Sequence, residues 1–273
     1  MTTTTPPASP SERFSVTARP SGIIRDVLSI ASRAVRSLLR EPEAVIPALL
    51  IPMFFFFVNI GALEGLAESA GGIGDFRAFQ LPVAIVFAVT GVSRAPALVL
   101  DIQGGYFDRL LATPIKRPAL LLGLMIADVV LIFTLSALVT VVGFLVGVRF
   151  ETGILGVIVF LGIAALWGLA FTGFAYAIAL KTGNPAAVNS AFLLFFPFAF
   201  LTSSFLPVEA LSGWMQTVAR YNPVTYLLDG LRALIIDGWD WTELGQALLA
   251  VAIVGAISFS LAFATLRGRV DRS

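Results

Sequence analysis

The sequence predicts an all-α integral membrane protein: six transmembrane helices, an amphipathic interfacial helix ahead of the first, and short external re-entrant helices before the last. Three observations predict it. Six apolar runs, at 45–61, 80–100, 119–148, 153–180, 186–206 and 244–266, are separated by mostly short polar segments. A bilayer core about 30 Å thick takes about 20 residues of helix, so each run spans it or fits with tilt. Composition agrees: of 273 residues 58% are hydrophobic and 13% charged, and a mean hydropathy of +0.92 is more than a soluble chain of this size hides inside. A soluble helical bundle would also need polar faces on its outer helices, and 122–148 has almost none.

The third observation is charge. With the amino terminus inside, Arg13, Arg19, Arg25, Arg33, Arg36, Arg40, Arg109, Lys116, Arg117, Lys181, Arg267, Arg269 and Arg272 fall on the cytoplasmic side, against Arg77, Arg149, Arg220 and Arg232 outside, thirteen to four. Lys and Arg bias sets orientation, so both termini are expected in the cytoplasm. Arginine-heavy, alanine-rich usage points to a GC-rich bacterium, so a bacterial cytoplasmic membrane is the expected location. The net charge of +1 conceals this asymmetry, because the acids lie mainly in the external loops. There is no cysteine and no histidine, which excludes disulfides, thiolate chemistry, His-ligated metal and a histidine base. No catalytic residue and no metal ligand is expected.

Along the chain, residues 1–21 are Thr, Pro and Ser rich with no apolar stretch, and read as a disordered cytoplasmic tail. The first span is therefore expected to serve as the insertion signal. In 22–41, Ile23, Ile24, Val27, Leu28, Ala31, Ala34, Val35, Leu38 and Leu39 follow an i, i+3, i+4, i+7 rhythm, with Arg25, Arg33, Arg36 and Arg40 gathered opposite. Such a helix lies flat at the membrane surface, stripe in lipid and arginines among phosphates. The transmembrane domain is read as 42–266, with a cytoplasmic loop at 102–118 and an external segment at 207–243, followed by a tail at 267–273.

Two ionisable residues lie inside spans, Arg94 in the second and Asp128 in the third, each roughly 10 to 14 Å deep at 1.5 Å per residue. Antiparallel neighbours bring them level, so an ion pair is one reading; the other is Arg94 snorkelling alone. Phe54, Phe57, Asn59, Asn189, Phe196 and Thr202 are candidates to line a solute path, because aromatic clusters suit a flat apolar solute and polar groups within spans need protein neighbours. Such rings also commonly face lipid. In the external segment, 209–218 reads as one short helix; Asn222 and Pro223 open a second running to about Ile236. Its stripe of Leu227, Leu228, Leu231, Leu234 and Ile235 is expected to dip into the outer leaflet, while Trp214, Tyr221, Tyr226, Trp239 and Trp241 fit an interfacial belt.

The cytoplasmic loop reads GYFDRLLATPIKR from Gly105, and the external segment reads FLPVEALSGWMQ from Phe205, then YNPVTY at 221–226 and Leu231-Arg232. With six spans and the entry helix, this resembles the ABC-2 type transporter permeases, most nearly the drug-exporting branch typified by daunorubicin-resistance permeases. Two departures stand out: Gln103 where an acid is common, and Leu211-Ser212 in place of Met-Pro. The resemblance implies that Gly105, Tyr106, Phe107, Asp108, Arg109, Leu110, Leu111 and Pro114 form a coupling helix, the leucines filling a groove on a separate ATPase subunit. The chain has no G-x-x-x-x-G-K-[ST] phosphate loop, so ATP and Mg would be held by that partner and no cofactor by this chain. The other partners expected are a second permease, as homodimer or pseudo-dimer, and the bilayer, with no nucleic acid. The expected function is the membrane subunit of an ATP-driven exporter of hydrophobic or amphipathic compounds such as drugs, antibiotics or lipids. The alternatives are polysaccharide or glycolipid export and a non-transporting scaffold or intramembrane enzyme, the last starved of histidine, cysteine and paired carboxylates.

Overall fold

A computed structural model describes residues 23–38, 42–69, 74–106 and 117–270, all helices and connections with no strand among them. The two tails and most of the cytoplasmic loop, including Phe107, Asp108, Arg109, Leu110, Leu111 and Pro114, lie outside the described residues. Helix α1 (Ile23–Leu38) precedes α2 (Pro42–Ser69). The next run gives α3 (Phe76–Val89) and α4 (Ala95–Gln103). Then come α5 (Arg117–Val146) and α6 (Gly153–Thr182). The fifth run is a chain of short pieces: α7 (Pro185–Asn189), a 3-10 turn (Ser190–Leu194) and α8 (Phe195–Phe200). The external segment holds α9 (Gly213–Tyr221) and α10 (Pro223–Arg232), the latter continued by a π turn (Ala233–Asp237), before α11 (Trp241–Val270) closes the chain.

Among the described residues, four helices contain stretches long and apolar enough to cross a bilayer: Ile46–Gly65, Leu121–Val146, Gly153–Thr182 and Trp241–Arg269. The second and fifth apolar runs do not form single straight helices. Thr90–Arg94 interrupts the second where Gly91 turns to φ +88°, a left-handed conformation that glycine reaches at no steric cost. The fifth loosens into 3-10 geometry ahead of Pro197. Apolar surface is abundant on the outside: Leu50, Ile51, Phe54, Phe55, Phe57 and Val58 of α2 are all exposed, while Pro52, Phe56 and Ile60 turn inward. Such a face needs an apolar surrounding.

The core forms where α6 and α11 lie together, with Ser258 donating to the Ala170 carbonyl across the contact. Leu227, Leu228, Leu231, Leu234 and Ile235 of the external segment are all buried in this same core, beside Ile85, Phe160 and Leu244. Their stripe is thus taken up by protein, where the sequence suggested the outer leaflet. The first external helix also begins later than 209–218, because Pro207 and Gly213 (φ +60°) hold the chain in turns up to Ser212. Trp214, Tyr221, Trp239 and Trp241 stay exposed, as an interfacial belt requires. Helix α1 lies against the start of α5, its Ala31 and Ala34 buried. A Cβ on Gly123 would come within 2.6 Å of Ile30, so part of α1's stripe is covered by protein and not by lipid.

Candidate functional site

The break in the second run exposes the first amides of α4, which lack helical partners. Two side chains meet them: Ser93 Oγ accepts from the Ala95 amide at 3.0 Å, and Asp128 Oδ1 accepts from the Arg94 amide at 2.6 Å. Asp128 is wholly buried on α5, and its other oxygen accepts from the Tyr176 hydroxyl of α6 at 2.5 Å. A carboxylate at a helix N-terminus faces the positive end of the helix dipole, which favours its charge. Arg94 and Asp128 are therefore brought together, through the Arg94 main chain as a helix cap. Above them Thr90 accepts from Trp167 Nε1 at 2.9 Å and donates to the Val86 carbonyl at 2.6 Å. Tyr176 and Trp167 were missed in sequence; a polar tip within an apolar run was the available signal, since buried Tyr and Trp seek partners.

The fifth run crosses close to this break. A Cβ on Gly91 would fall 2.4 Å from the Phe192 ring, so the two interrupted segments touch where the backbone is irregular. From there Phe192, Phe196 and Phe200 climb one face at helical i, i+4 spacing. Their ring centroids stand 5.1 Å and 5.7 Å apart, the upper pair nearly parallel, and Phe205 continues the ladder 6.0 Å beyond Phe200. Phe87 of α3 meets Phe195 and Phe200 edge-on at 5.4 and 5.9 Å. Phe196 and Phe200 each remain 38% exposed, so the ladder keeps aromatic surface open.

The other path candidates scatter. Asn189 is exposed at the foot of the ladder and Asn59 is half-buried on α2. Phe54 and Phe57 are exposed and stack only along α2, on Phe55 and Phe56, among the described residues. Thr202 is buried, its hydroxyl shared with Thr225 at 2.5 Å. Behind the ladder a cavity of about 700 Å³ opens between α6, α8 and α11, lined by Trp167, Phe171, Phe195, Tyr226 and Gln246 among others.

The C-terminal end of the fifth run is held by α10. Asn222 caps that helix through Val224 N at 3.0 Å while its amide donates to the Phe198 and Leu201 carbonyls at 2.6 and 2.7 Å. Arg232, almost fully buried, donates to the Ser203 carbonyl at 2.6 Å, to Ser203 Oγ at 2.9 Å and to the Phe79 carbonyl at 3.2 Å, and its guanidinium lies 3.5 Å over the Phe79 ring. Burial lowers its pKa to about 10, opposed by the Asp229 charge, so it stays cationic at neutral pH. No group of three or more Asp or Glu side chains among the described residues is arranged to hold a metal.

Of the coupling positions, Gly105 and Tyr106 are described. Gly105 takes φ +68° where α4 ends, and Tyr106 lies under the Arg33 guanidinium at 4.6 Å. Arg33 also bonds Asp101 at 2.9 Å, and Gln103 Nε2 donates to the Gly183 carbonyl at the end of α6, 2.9 Å away. An ionised acid at 103 could not donate that bond. The root of the loop is thus held from two sides, by α1 and by α6.

The ABC-2 type transporter family matches residues 25–236. The daunorubicin resistance ABC transporter permease protein DrrB1 of Streptomyces coeruleorubidus is 26% identical over 244 residues, 88% of this chain and 84% of that protein. The "Probable doxorubicin resistance ABC transporter permease protein DrrC" of Mycobacterium tuberculosis is 22% identical over 216 residues, 79% of this chain and 78% of its own. A Pyropia yezoensis protein named as a transport permease, ycf38, is 23% identical over 236 residues, 81% and 78% of the two chains.

Proposed function

We propose, because this chain belongs to the ABC-2 type transporter family, that it is the membrane-spanning permease subunit of an ATP-binding-cassette exporter for hydrophobic or amphipathic compounds. Two of its relatives are named for resistance to daunorubicin and doxorubicin. The observation that carries the substrate class is the ladder of Phe192, Phe196, Phe200 and Phe205, since flat apolar solutes stack on such faces. The interrupted second and fifth runs complete a six-crossing bundle with the four long helices, in the manner of transporters that place broken helices beside their substrate path. The chain lies in a bacterial cytoplasmic membrane with both termini inside, following its arginines.

Energy comes from a separate ATPase, with two permeases and two ATPases in the working assembly. ATP-driven closure of the partner pushes on the loop at 105–114. Arg33 and Gln103 hold its root, so the push passes to α1, α4 and the end of α6. The junction at Thr90–Arg94 then serves as the pivot about which α4 moves against the ladder, giving the two arrangements that alternating exposure requires.

The test is reconstitution of the chain with and without its ATPase, measuring ATP hydrolysis as an aromatic amphipathic compound is added. Stimulation in the wild type, abolished in a Leu110→Asp, Leu111→Asp variant that still inserts, is the expected result. Stimulation unchanged by that variant would refute the coupling surface. Stimulation by a glycolipid alone would move the cargo to the polysaccharide and glycolipid class, and none with any cargo would leave a scaffold.

A further inference from the structure

At the basic ends of α6 and α11 lies a second cavity of about 850 Å³ walled by Phe174, Ile178, Leu194, Leu261 and Ala264. Its rim carries Lys181 and Arg269, and no acid lines it among the described residues. Arg269 is held in place by donating to the Leu180 carbonyl at 3.0 Å, which sets its guanidinium over the C-terminal end of α6, where a helix dipole favours cations. Phe174 lines both this slot and the cavity behind the ladder. From Lys181 up to Phe174 the slot follows seven residues of helix, about 10 Å, two thirds of the roughly 15 Å that the chains of one leaflet occupy.

We propose that this slot binds one anionic phospholipid, its headgroup phosphate between Lys181 and Arg269 and an acyl chain along Phe174, Ile178 and Leu261. A basic rim over an apolar slot between helices matches both halves of that molecule, and basic pockets between helices on the cytoplasmic side bind anionic headgroups. A second copy of this chain fits less well. It would have to bring an acid to the rim, and Asp101 at this end is already engaged by Arg33. The site rests on the multi-pass membrane reading but not on the identity of the cargo, because the lipid is resident and not transported.

Full-length protein purified from nanodiscs containing equal phosphatidylglycerol and phosphatidylcholine tests this, with retained lipid counted by native mass spectrometry. The wild type should keep one phosphatidylglycerol in preference to phosphatidylcholine. A Lys181→Gln, Arg269→Gln variant should lose that preference by about thirtyfold, two charges at a membrane surface. Lys181→Arg should preserve it, and Arg220→Gln at the opposite end should not change it. Ala264→Trp, which fills the slot and leaves both charges, should also release the lipid; if it does not, the chain lies elsewhere and the proposal fails. Equal retention of both lipids, undiminished retention in the double variant, or cross-linking of two copies through position 264 would each overturn it. Failure of the chain to float with vesicles would instead sink the membrane reading itself.

Discussion

The two interrupted runs break for different reasons and are repaired differently. At Thr90–Arg94 the loose amides are met by Asp128 and Ser93, and Tyr176 and Trp167 lock the arrangement from α6. Every one of those groups except Ser93 is buried. In the fifth run the helix loosens ahead of Pro197, and the rings of Phe196 and Phe200 stay partly exposed while Asn222 and Arg232 fasten its C-terminal end. One break is a sealed joint whose polar groups answer one another, and the other is an open surface anchored at one end. The difference teaches where structure and specificity reside: changes in the joint should cost folding, and changes on the ladder should cost recognition.

The largest expected effect is at Asp128. Asp128→Ala strands the Tyr176 hydroxyl and the Arg94 amide in the core, a loss of roughly 3 to 5 kcal/mol for one buried partner removed, read as a large drop in thermal midpoint of the detergent-purified protein. Asp128→Asn, whose one carbonyl oxygen still accepts from the Arg94 amide while its NH2 can donate to the Tyr176 oxygen, should lose less. If the two variants melt alike, the joint is not what holds α4.

Asn222→Ala removes a helix cap and two carbonyl contacts together, so about 2 kcal/mol is expected, visible as a lower midpoint and faster proteolysis between the fifth run and α10. A midpoint unmoved by this change would mean the ladder needs no external anchor.

The smallest stability effect is expected on the ladder. Phe196→Ala and Phe200→Ala, at rings already 38% exposed, should shift the midpoint by about 1 kcal/mol or less, well under the 3 to 5 kcal/mol of a fully buried Phe→Ala. The same variants should raise the concentration of aromatic compound needed to stimulate the ATPase. A stability loss as large as that of Asp128→Ala, with stimulation unaffected, would make the ladder core and not path.

How much of this was legible differs between the two regions. Helix α6 could be read directly, because 153–180 has neither proline nor charge to interrupt it. The start of α10 was equally plain, with Asn222 capping and Pro223 at its first turn. The second run was read as one span because averaged hydropathy is blind to Gly91 and Pro96, which break a helix while remaining apolar enough to pass. Asp128 and Arg94 could be set at one depth by counting residues. That the contact would run through a main-chain amide could not be counted, since it depends on where the helix stops. Tyr176 and Trp167 illustrate the remainder: side chains bonding across 48 and 77 positions of sequence leave no periodic trace, and only the tertiary packing pairs them. The loop at 107–116 carries the coupling assignment from its motif alone.

The hydrogen at position 91 is what allows the Phe192 ring to sit where it does. Trimming the ring to leucine would not admit alanine opposite, because a methyl at 91 would still have to live at φ +88°. Across diverging exporters of this kind, position 91 ought to stay glycine whatever becomes of the rung it faces.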